Sequence, residues 1–226
     1  YIDHTYCAKR HIPITNVPHY SRESVAEHVF ALLLGAAKRV ITTDRKTQQN
    51  QYGLTVGTEI KGKTLGVIGY GSIGSRVAEI GNAFGMRVIA YNRSPKKARG
   101  VTFTSLTTLL KKSDAISINL SHSEKTLNFL SAKRIKQLKN GVIIINTADN
   151  TLVDEHAIAR ALNAGKIDSY VAEVDDVNAK PLCTAKNAFL LKGFGWYTTE
   201  ALSRNKDIWI DNIKSLINGK PLNAIK

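Results

Sequence analysis

The segment Gly69-Tyr-Gly71-Ser-Ile-Gly74 constrains the fold of this chain more than any other. It follows an apolar run with strand character, Thr64–Gly69. It opens directly into a helical pattern from Ile73 to Phe84, and a second strand, Arg87–Tyr91, comes next. Three glycines at this spacing each answer a steric need. Gly69 makes the tight turn, Gly71 lets backbone approach a ligand closely, and Gly74 lets the helix pack against the strand. The helix start at Ser72 and Ile73 offers backbone N–H groups and the positive end of the helix dipole, which together suit a phosphate. A glycine cluster alone says little. Strand, turn, helix and second strand in this order are the context that marks a dinucleotide pyrophosphate site.

The alternation continues along the chain. A short helix at Leu106–Lys111 precedes a strand at Ala115–Leu120, and a helical segment at Ser131–Leu138 precedes a strand at Val142–Asn146. A helix at Glu155–Ala164 carries its cap at Asp154 and its stop at Gly165. Two further apolar runs follow, Ser169–Val174 and Ala188–Leu191. Upstream, the capping box Ser24-Val-Ala-Glu27 starts a helix reaching Val40, with Val25, Val29, Leu32, Leu33 and Ala36 at helical spacing. The polar stretch Thr42–Thr58 reads as a connector. This pattern predicts an α/β protein with a Rossmann-type doubly wound parallel sheet, covered by helices on both faces.

The end of the second strand selects among dinucleotides. A carboxylate there would bond the adenosine ribose hydroxyl, whereas a nearby arginine accommodates a 2′-phosphate. This chain has Asn92-Arg93-Ser94, with Lys96 and Lys97 just beyond. The expected cofactor is therefore NADP, with NAD also open.

Composition sets the outer limits. Hydrophobic residues make up 43% and charged residues 22% of the 226, as in a globular protein. The formal charge of +14, from 32 Lys and Arg against 18 Asp and Glu, leaves a basic polyanion-binding protein as one alternative. The basic residues are scattered, lack interleaved aromatics and form no nucleic-acid-binding motif, so they read as a solvated surface and nucleic acid is not an expected partner. No apolar run reaches the roughly 18 residues of a membrane span, so no membrane is expected. Cys7 and Cys183 do not suggest a disulfide framework, which points to the cytoplasm. No metal site is assigned. The chain opens Tyr-Ile-Asp without a visible signal peptide, as a segment from within a longer protein would.

Several further segments carry a family resemblance. Asn16-Val-Pro-His-Tyr-Ser21, Ser24-Val-Ala-Glu-His28, Gly66–Gly74, Asn146-Thr-Ala148, Leu152-Val-Asp154 and Asn218-Gly-Lys-Pro-Leu222 together resemble the D-isomer-specific 2-hydroxyacid dehydrogenases, in particular the glyoxylate/hydroxypyruvate reductase branch. The resemblance implies a remnant of the substrate domain at 1–20, a dinucleotide-binding domain at 21–200, and a C-terminal helix and tail at 201–226 that would pack on the substrate domain. Most of that N-terminal domain would be absent. The implied cofactor-binding set adds Leu120, Ser121, Thr126, Thr147, Ala148, Asp149 and Glu173 to the glycine turn and to Asn92, Arg93 and Ser94. Glu173 stands where the family usually has an Asp near the nicotinamide amide.

The resemblance also implies a reaction apparatus that this chain lacks. In the family an Arg grips the substrate carboxylate, and a His paired with a Glu shuttles the hydroxyl proton. Asp149 stands at the Arg position and Gly193 at the His position; ungapped counting puts Asn178 at the Glu position, with Asp175 or Asp176 available if the register shifts. His122, after a strand end, and His156, at a helix start, match no family position, so no catalytic residue is assigned. The expected function is a NAD(P)-binding family member that is catalytically impaired or repurposed, and a small-molecule substrate is in doubt. The alternative is an active NADP-dependent oxidoreductase reducing a 2-keto acid or another carbonyl compound. A homodimer is expected through the broad apolar face of the Ser24–Val40 helix, a segment that the resemblance places at a two-fold interface.

Overall fold

The computed structural model describes residues 2–51, 53–94, 96–174 and 181–225. Three helices come first: α1 (His4–Lys9), α2 (Arg22–Ala37) and α3 (Val40–Gln48). Strands and helices then alternate as β1 (Thr64–Ile68), α4 (Ser72–Ala83), β2 (Arg87–Tyr91), β3 (Val101–Phe103), α5 (Leu106–Lys112), β4 (Ala115–Ile118), α6 (Ala132–Ile135), β5 (Val142–Asn146), α7 (Glu155–Asn163), β6 (Ile167–Val174) and β7 (Ala188–Lys192), before the long α8 (Thr199–Ile217). Two compact units result: Val25–Gly195, and Tyr1–Ser24 together with Trp196–Lys226.

In the larger unit the seven strands form one parallel sheet in the order β3-β2-β1-β4-β5-β6-β7. Every residue of β1, β4 and β5 is buried, as strands covered on both faces require. Side chains alternate between two cores, the period of a pleated strand. Leu65, Val67, Ile143 and Ile145 join Ala26, Val29, Phe30 and Leu33 of α2 and Val77 and Ala78 of α4. Ile68, Ile116, Val142 and Ile144 join Leu109 and Leu110 of α5 and Ile158 and Leu162 of α7. The doubly wound sheet is the one the alternating pattern predicts.

The segment read as a connector from Thr42 differs: α3 occupies its first part. Its solvated side chains form local bonds, Thr47 Oγ1 to the Thr43 carbonyl at 2.9 Å and Gln48 Nε2 to Asp44 Oδ1 at 3.0 Å. No apolar stripe announces such a helix, and its β-branched start argues against one. The break from α2 falls at Arg39, which takes φ +60°. Its guanidinium is anchored by two 2.7 Å bonds to the Asp168 carboxylate, a planar fork that holds the bend in place. Val40 is consequently 56% exposed and lies outside the core.

The breadth of the apolar face of α2 is also accounted for within this unit, because Ala26, Val29, Phe30, Leu33, Ala36 and Ala37 all enter one core. That breadth alone does not call for a second copy of the chain.

The smaller unit is held by buried polar groups on α8. Asn212 Nδ2 donates to the Asn16 carbonyl at 2.8 Å, and the Ser215 hydroxyl accepts the Leu222 N–H at 2.9 Å. Thr15 and Ala224 form an antiparallel bridge. Leu202, Trp209, Ile213 and Ile217 of α8 are exposed.

Candidate functional site

Sheet register brings distant predicted residues onto one line. Ile68 pairs with Tyr91 and Ile118, Ile118 with Asn146, Asn146 with Ala172, and Ala172 with Leu190. One residue further toward the C-terminal edge come Gly69, Asn92, Asn119, Thr147, Glu173 and Leu191. This edge is where open α/β sheets bind ligands, in the crevice at which strand order reverses. Here the reversal falls between β1 and β4.

The glycine turn has the geometry its spacing predicts. Gly69 takes φ +91°, a conformation that L side chains rarely adopt. A Cβ on Gly74 would stand 2.0 Å from the Gly69 carbonyl oxygen, so helix and turn close only because that atom is missing. Gly71 precedes α4 without any side-chain cap bond, and the space above its α-carbon is open. Ser72 and Ile73 form the first turn, with Ile73 packed against the core. An uncapped helix start facing open space fits a diphosphate.

At the end of β2, Asn92 ties the two turns together. Its Oδ1 accepts the Tyr70 N–H at 3.0 Å, and its Nδ2 donates to the Ser94 carbonyl at 2.9 Å. Lys96 Nζ donates to the Tyr70 carbonyl at 2.8 Å, which brings its charge back toward the glycine turn. A surface groove here is lined by Asn92, Arg93, Ser94, Lys96, Phe103, Thr104 and Ser105. It holds two cations, three hydroxyls and no carboxylate.

Beyond β4, Leu120 and Ser121 lead to a short 3-10 turn at Glu124–Thr126, where the Thr126 hydroxyl donates to the Ser121 carbonyl at 2.9 Å. Beyond β5, buried Asn146 orients Thr147 and Ala148: its Oδ1 accepts the Ala148 N–H at 3.2 Å, and its Nδ2 donates to Tyr170 Oη at 3.2 Å. Asp149 then caps a 3-10 turn at Asn150–Leu152. Its Oδ1 accepts the Thr151 N–H at 2.8 Å and the Thr151 hydroxyl at 2.5 Å, and its Oδ2 lies 3.5 Å from His122 Nδ1. His122 Nδ1 is also 3.0 Å from Thr151 Oγ1. The sequence gives no sign of this cluster, since its members leave different strands.

Glu173, at the end of β6, is buried and densely bonded. Its Oε1 accepts the N–H groups of Phe194 at 2.8 Å and Gly195 at 2.6 Å. His28 Nε2 of α2 stands 3.2 Å away, as an electrostatic contact rather than an aligned hydrogen bond. Burial pushes the Glu173 carboxyl upward, but His28 and the two N–H donors outweigh it and hold the group below its ordinary value. The His28 ring meets Phe194 edge-on, with centroids 4.8 Å apart. A Cβ on Gly195 would fall 2.7 Å from the His28 ring. At Gly193, by contrast, no atom lies within 4 Å of where a Cβ would stand. Asp175, Asp176 and Asn178 lie outside the described residues. Among the described residues no group of three or more His, Cys, Asp or Glu side chains could hold a metal ion, and no helix is long and apolar enough to cross a membrane.

A parallel sheet in this order, with an open glycine turn at its reversal point, defines a dinucleotide-binding α/β protein. The chain belongs to the D-isomer specific 2-hydroxyacid dehydrogenases: residues 30–192 match that family's NAD binding domain. It is 35% identical to a glyoxylate reductase of Aeropyrum pernix, over 95% of this chain and 69% of that protein. It also resembles an acyclic imino acid reductase solved with NADPH and D-Arg (TM-score 0.94, 34% identity, all of this chain and 75% of that one). A D-lactate dehydrogenase from Aquifex aeolicus, solved with NAD and lactic acid, is similar at TM-score 0.87 and 33% identity, over 96% of this chain and 73% of that one. Fold and family fix the cofactor class as a nicotinamide dinucleotide; the reaction depends on the particular residues at the edge of the sheet.

Proposed function

We propose that this chain binds NADP(H) and does not carry out 2-hydroxyacid chemistry by its family's route. The observation that carries the proposal is Asp149, a carboxylate bonded to Thr151 and beside His122, where the family resemblance calls for an arginine. In this reading the first turn of α4, with Gly69, Gly71, Ser72, Ile73 and Gly74, holds the pyrophosphate. Arg93 and Ser94 meet a 2′-phosphate, with Asn92 positioning their turn. Leu120, Ser121, Thr126, Thr147, Ala148, Asp149 and Glu173 line the nicotinamide half. When bound, the dinucleotide would supply hydride-transfer chemistry.

Calorimetric titration tests the cofactor assignment, with NADP(H) expected to bind more tightly than NAD(H). Arg93→Ala should weaken NADP(H) about tenfold or more, on the scale of one charge-assisted phosphate contact, and leave NAD(H) nearly unchanged. An equal or reversed preference would remove the assignment. A matched loss for both cofactors would make Arg93 a structural residue.

A second reading keeps catalysis but changes the acceptor to something other than a 2-keto acid. Asp149 favours it, as does the relation to the imino acid reductase solved with NADPH and D-Arg. Two organisational points complete the proposal. The exposed apolar residues of α8 support its packing against a substrate domain of the family type. The chain is proposed to act in the cytoplasm as a homodimer; the exposed apolar side chains of Leu54 and Val56 support the dimer, which the breadth of α2 does not require. Light scattering at micromolar concentration should return about twice the 24.8 kDa chain mass; monomer alone would defeat the dimer.

A further inference from the structure

We infer that Asp149, Thr151 and His122 form a recognition site for a protonated nitrogen, and that the acceptor reduced here is a protonated imine. The inference rests on the second reading above. It starts from proton bookkeeping. The Thr151 hydroxyl has one hydrogen, and the 2.5 Å contact to Asp149 Oδ1 uses it. Thr151 Oγ1 can therefore only accept at its 3.0 Å contact with His122, which assigns a proton to Nδ1. In neutral His122 the other nitrogen, Nε2, then carries a lone pair, and it makes no hydrogen bond among the described residues. The Asp149 carboxylate stands 3.5 Å from the same ring. The cluster thus pairs a negative charge with a hydrogen-bond acceptor. An ammonium or iminium N–H needs both, and a substrate carboxylate meets neither.

The chemistry at the neighbouring strand ends agrees. Asp149 and Gly193 follow β5 and β7, which flank β6 in the sheet. A carbonyl that takes up a hydride becomes an alkoxide and needs a proton donor, which Gly193 cannot be. A protonated imine is already charged. When its carbon accepts the hydride from the reduced nicotinamide dinucleotide, the C=N π pair moves onto nitrogen and a neutral amine results, with no proton required during the transfer. One pair of substitutions, to a carboxylate and to glycine, therefore disfavours keto acids while it suits iminium ions.

The test uses the full chain preloaded with NADP⁺ and titrated calorimetrically with isopropylammonium or, separately, with lactate, which is similar in size and opposite in charge. Isopropylammonium should bind more tightly than lactate. Asp149→Asn and His122→Gln should each weaken the amine about five- to tenfold, a modest factor because the pair is half exposed, while in His122→Gln, which lies outside the cofactor-binding set, NADP⁺ affinity stays within about twofold. In parallel, NADPH should be consumed with the imine formed from acetone and methylamine. Lactate binding as tightly as the amine, or amine affinity unchanged in both variants, overturns the inference. Failure of NADP⁺ itself to bind overturns the reading beneath it, and the first titration reveals this before any amine is added.

Discussion

Glyoxylate, pyruvate and hydroxypyruvate, each at high concentration, should leave a premixed solution of this protein and NADPH at the background rate of absorbance loss, and NADH should give the same result. Three effects point the same way. Losing the general acid at the Gly193 position costs about 10²–10⁴ in rate. Losing a charge-assisted bond to the substrate carboxylate costs roughly 1.5–3 kcal/mol, or about ten- to a hundredfold. Asp149 then adds repulsion where attraction is needed. A combined deficit on the order of 10³–10⁶ would bury the reaction in the uncatalysed decay. Single-turnover conditions make the measurement decisive, because slow product release cannot hide a fast first hydride transfer. Consumption well above the control that disappears in His122→Gln would mean that His122 had taken over proton donation to a carbonyl. The imine assignment would then give way to a keto-acid reductase with a relocated acid.

The parts of this molecule legible in the sequence are those set by local rules. β2 and β5 have the bounds expected from their apolar runs, Arg87–Tyr91 and Val142–Asn146, because buried parallel strands are continuous apolar segments between turn residues. α7 begins at its Asp154 cap, whose carboxylate accepts the Ala157 N–H at 2.9 Å, and ends before Gly165 at φ +74°. The glycine turn was legible for the same reason, since its geometry is written in three consecutive constraints.

What escaped either carries no local signal or depends on partners far along the chain. α3 has no buried residue and no stripe, so nothing local marked it. β3 is three residues long and owes its strand character to pairing with β2. Within the site, His28 stood in a recognised segment without any sign of its role, because its partner Glu173 lies on another element. Asp149 and Gly193 were visible as departures from a pattern. The alternative constellation of Asp149, Thr151 and His122 forms only because β4 and β5 lie side by side.

Glu173→Ala should lower the melting temperature by roughly 6–12 °C at neutral pH. The side chain is buried and is the acceptor for two backbone N–H groups, of which that of Gly195 is buried. Removing it orphans those donors and leaves His28 facing an apolar gap, at a cost of about 3 kcal/mol. For a chain of this size each kcal/mol moves the midpoint about 2–4 °C. Glu173→Gln keeps an acceptor oxygen and nearly the same shape, so it separates the charge from the hydrogen bonds and should melt between the two. Its distinguishing mark is pH dependence. The folded protein holds the Glu173 carboxyl below its ordinary value. Above the unfolded-state value, about 4.3, the carboxylate is charged in both states and its full stabilisation is present. As pH falls through that value the unfolded chain takes up the proton first, and stability declines until the folded group protonates as well. Asp168 and Asp114 contribute the same sign of slope: burial pushes each carboxyl upward, but Arg39 together with the Ser169 hydroxyl, and Lys139 together with the Thr64 N–H and Lys63, hold them below the ordinary value. Urea denaturation at pH 7 and near pH 4 should therefore show acid loss in every variant, with a smaller loss in Glu173→Gln than in the unmodified protein. Equal acid losses in those two, or a Glu173→Ala midpoint within about 1 °C of the unmodified protein, would show that the carboxylate is not what secures the loop at Phe194 and Gly195.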